Sequence, residues 1–125
     1  MPVLEWLPLL ELKGDRNTLR DALIEFYFEY YPHCDCCGAP LVEPQLHEGI
    51  VTRADFPYKN KKPIFHIVNL FVVNSMCHIS HNLQSSRQDF WDNSVARYGE
   101  KAVTEWYNGL PWKVVPRLFQ TISQS

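Results

Sequence analysis

The apolar positions change period several times along this chain, and each change marks a new element. Over residues 17–32, NTLRDALIEFYFEYYP, Leu19, Ala22, Leu23, Phe26 and Tyr30 recur at spacings of three and four. That pattern is one face of a helix, which Asn17 or Asp15 would cap and Pro32 would end. HCDCCGAP, residues 33–40, cannot continue the helix, because Gly38 and Pro40 favour a tight turn. LVEPQLHEGIVT, residues 41–52, then reads as two short strands around Pro44. IFHIVNLFVV, residues 64–73, has the β-branched and aromatic content of a further strand, and RADFPYKNKKP between them is a polar loop.

From Asn74 the helical period returns. NSMCHISHNLQSSRQDFW, residues 74–91, runs towards a helix, with Ser86 and Asp89 offering a restart of capping-box type. Gly99 takes a C-cap position. EKAVTEWYNG makes a last helix with Ala102, Val103, Trp106 and Tyr107 on one face and Gly109 closing it. The first twelve residues, MPVLEWLPLLEL, carry Glu5, Glu11 and two prolines and read as an arm packed on the domain. They lack the basic start and small-residue end of a signal peptide and are too short to span a bilayer. The expected architecture is a single α+β domain over residues 1–125. An arm and helix fill 1–32, a turn and strands 33–82, and helices with a tail 83–125.

Composition narrows the chemistry. A chain of 125 residues, 46% apolar and 14% aromatic, supports a modest core and is small enough to gain from a metal staple. The net charge of −2 means that any nucleic-acid surface must be local. With no targeting or membrane signal, the expected compartment is the cytoplasm, where four cysteines point to a metal or to catalysis before disulfides.

Cys34 and Cys37, separated by two residues and followed by Gly38, have the spacing of a zinc knuckle. Cys77 supplies a third thiol for a structural zinc. The fourth ligand is open between His81, His33 and Cys36, since Asn74 stands where a second cysteine pair would begin and an amide is a poor zinc ligand. The alternative is a set of thiols simply packed in the core. His78 follows Cys77 directly, with His81 one turn on. His47 and Glu48 sit together at the end of a strand, and Asn69 lies inside an apolar strand, where it either clamps a loop or orients a reactive group. Arg53, Lys59, Lys61 and Lys62 make the central loop the most basic part of the chain. His66 would contact phosphate or cap the loop end. Trp6, Trp91, Trp106 and Trp112 read as packing residues.

Taken in order, CDCCG, QLHEGIVTRAD, Asn69 and NSMCH resemble the His-Asn-His (HNH) endonuclease pattern in its small, zinc-knuckle, phage-type form. The RYGEKAVTEWYNGLPWK tail is similar to the closing segment of such members, so the resemblance covers about residues 33–112. It implies a ββα-metal (His-Me finger) core over residues 33–82, stapled by zinc at Cys34, Cys37 and Cys77. His47 and His78 would hold one catalytic divalent cation, magnesium, manganese, nickel or zinc, with His81 a further candidate ligand. Asn69 would orient the base. Arg53, Lys59, Lys61, Lys62 and His66 would contact DNA.

The implied activity is one-metal phosphodiester hydrolysis in phage DNA processing or packaging. DNA, and phage packaging or replication proteins, would be the partners. The protein would act as a monomer or homodimer in the cytoplasm, the host's if phage-encoded. This chain departs from the pattern at Glu48, where a histidine base belongs, and at Asn74. Either Glu48 is the base, or His47 is and the first ligand has been lost to Leu46. A zinc-stapled module that binds nucleic acid or a protein without cutting is the competing reading, and a purely structural zinc protein the third.

Overall fold

The computed structural model describes residues 5–80 and 87–111. Helix α1, Arg16–Tyr30, starts where Asp15 accepts the Thr18 N–H at 2.8 Å and ends before Pro32. Its buried stripe is Leu19, Leu23 and Tyr27. Tyr27 falls outside the purely apolar spacing yet is fully buried, whereas Tyr30 is 54% exposed. The chain then makes its tight turn, with Gly38 N–H donating to Cys34 O and Cys34 N–H to Ala39 O. Gly38 has φ of +78°, in the left-handed region that costs glycine nothing.

Two strands follow, β1 Pro44–Glu48 and β2 Leu70–Asn74, paired antiparallel with His47 opposite Phe71 and Glu48 opposite Leu70. The expected strand ahead of Pro44 does not form. Glu43 takes φ of 50°, turning the chain, and its carbonyl accepts from Ser75 N–H at 3.1 Å. The second strand starts six residues later than the sequence suggests. Lys62–Ile64 and Ile67–Asn69 are single 3-10 turns, the latter capped by His66 Nδ1, which accepts the Val68 N–H at 3.2 Å. Ile64, Ile67 and Val68 are wholly buried, so their β-branched side chains serve packing rather than strand pairing.

Helix α2, Ser75–Ser80, leaves β2 without a loop. Helices α3, Arg87–Tyr98, and α4, Glu100–Asn108, are joined by Gly99, whose φ of +94° lets the chain reverse within one residue. Ser86, expected to cap α3, lies outside the described residues, as do His81 and Trp112. The N-terminal arm forms a 3-10 turn, Leu7–Glu11, and buries Trp6 and Leu9 against the domain. The result is a mixed fold of helices around a small two-stranded sheet. No helix among the described residues is long and apolar enough to cross a membrane.

One buried ion pair ties these parts together. Arg97 of α3 donates from Nη2 to Asp35 Oδ1 at 2.5 Å and from Nη1 to Asp35 Oδ2 at 3.1 Å and to Tyr27 Oη at 2.7 Å. Tyr27 Oη in turn donates to Asp35 Oδ2. The Asp35 side chain is fully buried, and the guanidinium lies 4.1 Å from the centre of the Trp6 ring. Burial opposes the charge on Arg97, but Tyr27 and Asp35 more than offset it and hold its pKa above the ordinary range. Removing the cation would strand a buried carboxylate. Arg97→Met is expected to cost about 3–5 kcal/mol of stability, read from urea unfolding beside the parent protein.

Candidate metal sites

Two clusters of ligand-type side chains flank the hairpin. At one end, the sulfurs of Cys34, Cys37 and Cys77 lie within 4.8 Å of one another, a spacing that can hold a metal ion. The turn delivers the first two and α2 the third. Backbone N–H groups of Cys36 and Asn74 donate to Cys34 Sγ at 3.3 and 3.2 Å, the support that a thiolate ligand uses. Burial and the three neighbouring thiols push the Cys77 pKa up, so without a cation it stays protonated. A bound metal reverses that by stabilising the thiolates.

The Asn74 amide is committed elsewhere: Oδ1 accepts from Val42 N–H at 2.7 Å and Nδ2 donates to Pro40 O at 3.0 Å. Asn74 therefore ties the chain after the turn to the end of β2. The His33 ring meets Gly38 O at 3.2 Å and packs against Tyr31. The Cys36 thiol interacts with that of Cys77 but is not one of the three sulfurs that lie mutually within 4.8 Å, and His81 lies outside the described residues.

At the second cluster, His47 of β1 and His78 of α2 face each other with ring centres 5.4 Å apart. Phe90 of α3 lies 5.2 Å from the other side of the His47 ring. His47 is buried, His78 exposed, and the buried His47 Nε2 has no hydrogen-bond partner. Burial first, then the charges of His78 and Arg87, lower the His47 pKa to about 4 despite the opposing pull of Glu48. The imidazole is therefore neutral at physiological pH, with its lone pair unspent, which is the state a metal ligand needs.

Glu48 does not share this site. Successive residues of a strand project to opposite sides, and Glu48 turns to Arg16 Nε at 3.0 Å and Arg53 Nε at 3.7 Å, both on Oε1. Arg16 also donates to Leu46 O at 3.4 Å, so α1 grips the outside of β1.

Asn69 is fully buried and acts as a clamp on the long connection between the strands. Its Oδ1 accepts the N–H groups of Ile50 and Val51, both at 2.9 Å, and its Nδ2 donates to Val51 O and Ile64 O, both at 2.9 Å. Its own carbonyl accepts from Gly49 N–H, directly after Glu48. A Cβ at Gly49 would sit 2.7 Å from Phe71 and Phe90, so the chain leaves β1 in close contact with the ring that supports His47.

The basic loop is not gathered around the two histidines. Lys61 folds inward, donating to Phe56 O at 2.5 Å and Arg53 O at 3.2 Å. Arg53 turns to Glu48, and exposed Lys62 lines a surface cleft of about 820 Å³ with Lys13, Arg16 and His66. Lys59 is exposed on the loop surface. His66 caps a 3-10 turn, and burial followed by the Lys13 charge lowers its pKa. The cation beside His47 is Arg87, which its sequence position at the start of α3 gave no reason to single out. Protein-family models, characterised proteins and solved structures were compared with this chain, and none matches it.

The His47 shift has a testable consequence. The unfolded imidazole takes up its proton near pH 6.5, but the folded one resists until about pH 4. Between those values the unfolded state binds more protons, so stability is complete above pH 6.5 and falls as the pH drops towards 4. The loss is on the order of 3 kcal/mol. Without added divalent cation, His47→Gln is expected to flatten that part of the stability curve, measured by urea unfolding across the pH range.

Proposed function

We propose that this protein is a divalent-cation-dependent DNA endonuclease of the HNH type, with β1, β2 and α2 as its ββα-metal core. The observation that carries the reading is the buried His47 Nε2 without a partner, on a ring whose centre lies 5.4 Å from that of His78. A buried imidazole nitrogen left without a partner is costly unless a ligand supplies one. Two imidazoles, one from the hairpin and one from the helix after it, fit a borderline divalent cation such as nickel or zinc, and magnesium or manganese if water and phosphate oxygens complete the shell. Such a cation, when bound, supplies charge stabilisation for a phosphodiester undergoing hydrolysis.

The residues around it do the positioning. Asn69 fixes the loop that leaves β1, which holds His47 at its distance from α2. Phe90 packs on the His47 ring and Phe71 packs on Phe90 in turn, which keeps water from one side of the imidazole. Structural zinc is held by Cys34, Cys37 and Cys77. That metal fixes the start of α2, and with it the direction in which His78 points.

A second reading rests on Glu48. In the base position of the HNH pattern this carboxylate is shared between Arg16 and Arg53 and turned away from His78. That arrangement suits a module of the same fold that binds nucleic acid or a protein partner without cutting it.

Nicking of supercoiled plasmid by stripped protein, zinc-reloaded and given magnesium, manganese or nickel, separates the two. Metal-dependent nicking is expected, with a loss of at least about 100-fold in His78→Ala, the scale for losing one group that stabilises a transition state. A folded, zinc-loaded protein that leaves the plasmid intact would transfer the assignment to the binding module. For the structural metal, the purified chain is expected to carry about one zinc ion, and Cys34→Ser to lose it together with cooperative unfolding. Elemental analysis and a thermal melt provide the check, and an unchanged melt in a zinc-free Cys34→Ser protein would refute the role.

A further inference from the structure

His47 Nε2 is not the only buried polar atom at this site without a partner. Arg87 Nε is another, although the Arg87 side chain is only 11% exposed. Arg87 opens α3, one turn ahead of Phe90, and residues three apart share a helix face. Phe90 is the ring that packs on His47, so Arg87 lies on the face of α3 turned towards the histidine pair. One arm of its guanidinium is fixed: Nη2 donates to Asp55 Oδ2 at 2.5 Å. Asp55 is held in turn by the Thr52 hydroxyl at 2.7 Å, within the loop that Asn69 clamps.

A salt-bridge strut to Asp55 alone would not leave the second donor buried and idle. An unpaired buried donor is costly, and more so on a charged group. The planar guanidinium presents its Nε and Nη donors as a fork that matches a phosphate, and Asp55 occupies only part of that fork. Asp55 also balances the charge of Arg87, which lets a guanidinium stand beside a cation-binding histidine pair. The free donor and the free His47 nitrogen belong to neighbouring side chains and have complementary needs, an acceptor oxygen and a cation. A phosphodiester with its metal ion provides both.

We propose that Arg87 contacts a non-bridging oxygen of the phosphodiester bound at His47 and His78, with Asp55 as the residue that positions it. The assignment rests on the nuclease reading above and names its phosphate-binding side chain. It also accounts for how a chain of net charge −2, with Arg53 and Lys61 of its basic loop engaged elsewhere, would hold DNA at this point.

The test compares Arg87→Gln, Arg87→Lys and Asp55→Asn in the full zinc-loaded chain. Binding of a short DNA duplex is measured without added magnesium over a range of salt, beside plasmid nicking and thermal melts. Arg87→Gln is expected to weaken binding about 10-fold and to lower the slope of log affinity against log salt by about one. Arg87→Lys keeps the charge and a donor to Asp55 but lacks the fork. It should fold, keep the salt slope, and still lose about 10-fold in nicking at saturating DNA. Asp55→Asn breaks the same ion pair while leaving the cation, and should keep the full salt slope.

The proposal is overturned if all three variants fall in step with their melting temperatures, which would make Arg87 a strut. It is overturned equally if Arg87→Gln and Arg87→Lys bind and nick as the parent does. A parent protein that neither binds nor nicks DNA would remove the nuclease reading itself, and Arg87's role with it. A parent that nicks beside unaffected Arg87 variants would remove only the latter. Should Arg87→Gln fail to fold, Arg87→Lys against Asp55→Asn decides alone.

Discussion

The Asp35–Arg97 pair is the constraint on which the arrangement turns. A carboxylate buried without solvent contact survives only against a matched cation, and here the match comes from 62 residues away. Asp35 lies inside the cysteine turn, and its N–H donates to Val72 O of β2. Fixing it therefore fixes the turn against the hairpin. Arg97 belongs to α3, the helix that also carries Phe90 and Arg87, while Tyr27 brings α1 to the same point. The cysteine cluster, the strands and two helices are thus referenced to one guanidinium. Moving α3 relative to the hairpin would disturb the thiols and the His47 wall together.

From that anchor the two ligand clusters acquire distinct characters. The thiols are held by turn geometry and by two N–H···S contacts, a rigid arrangement that suits a metal serving structure. The histidine pair is asymmetric, one ring buried and one exposed, and two of the polar atoms nearby await partners. The difference lies in which polar atoms the fold itself satisfies.

Much of this was legible from the residues. Helix α1, the turn at Gly38, the break at Gly99 and the face of α4 follow from local rules, although Tyr27 and not Tyr30 completes the buried stripe of α1, and spacing joins Cys34 to Cys37 but not to Cys77. Local reading failed where distant partners decide the outcome. Asp35 and Arg97 each look like ordinary solvated charges until the fold joins them. Glu48 beside His47 suggests a shared site, but strand alternation and Arg16 on α1 separate the two. Residues 64–68 have strand composition, yet His66 and the Asn69 clamp divert them into 3-10 turns. Arg87 carried no signal in sequence beyond its place at a helix start. Its significance comes from Asp55, 32 residues earlier, and from the ring of Phe90.

Trp6 lies over the Arg97 guanidinium and packs on Phe26, Tyr27, Tyr31 and Tyr98. The arm that carries it is thus a wall of the charged core. For protein engineering, the usable domain boundary lies ahead of Trp6: a fragment trimmed to the start of α1 would open the ion pair to water. Any fusion at this end needs a spacer long enough to let the indole seat.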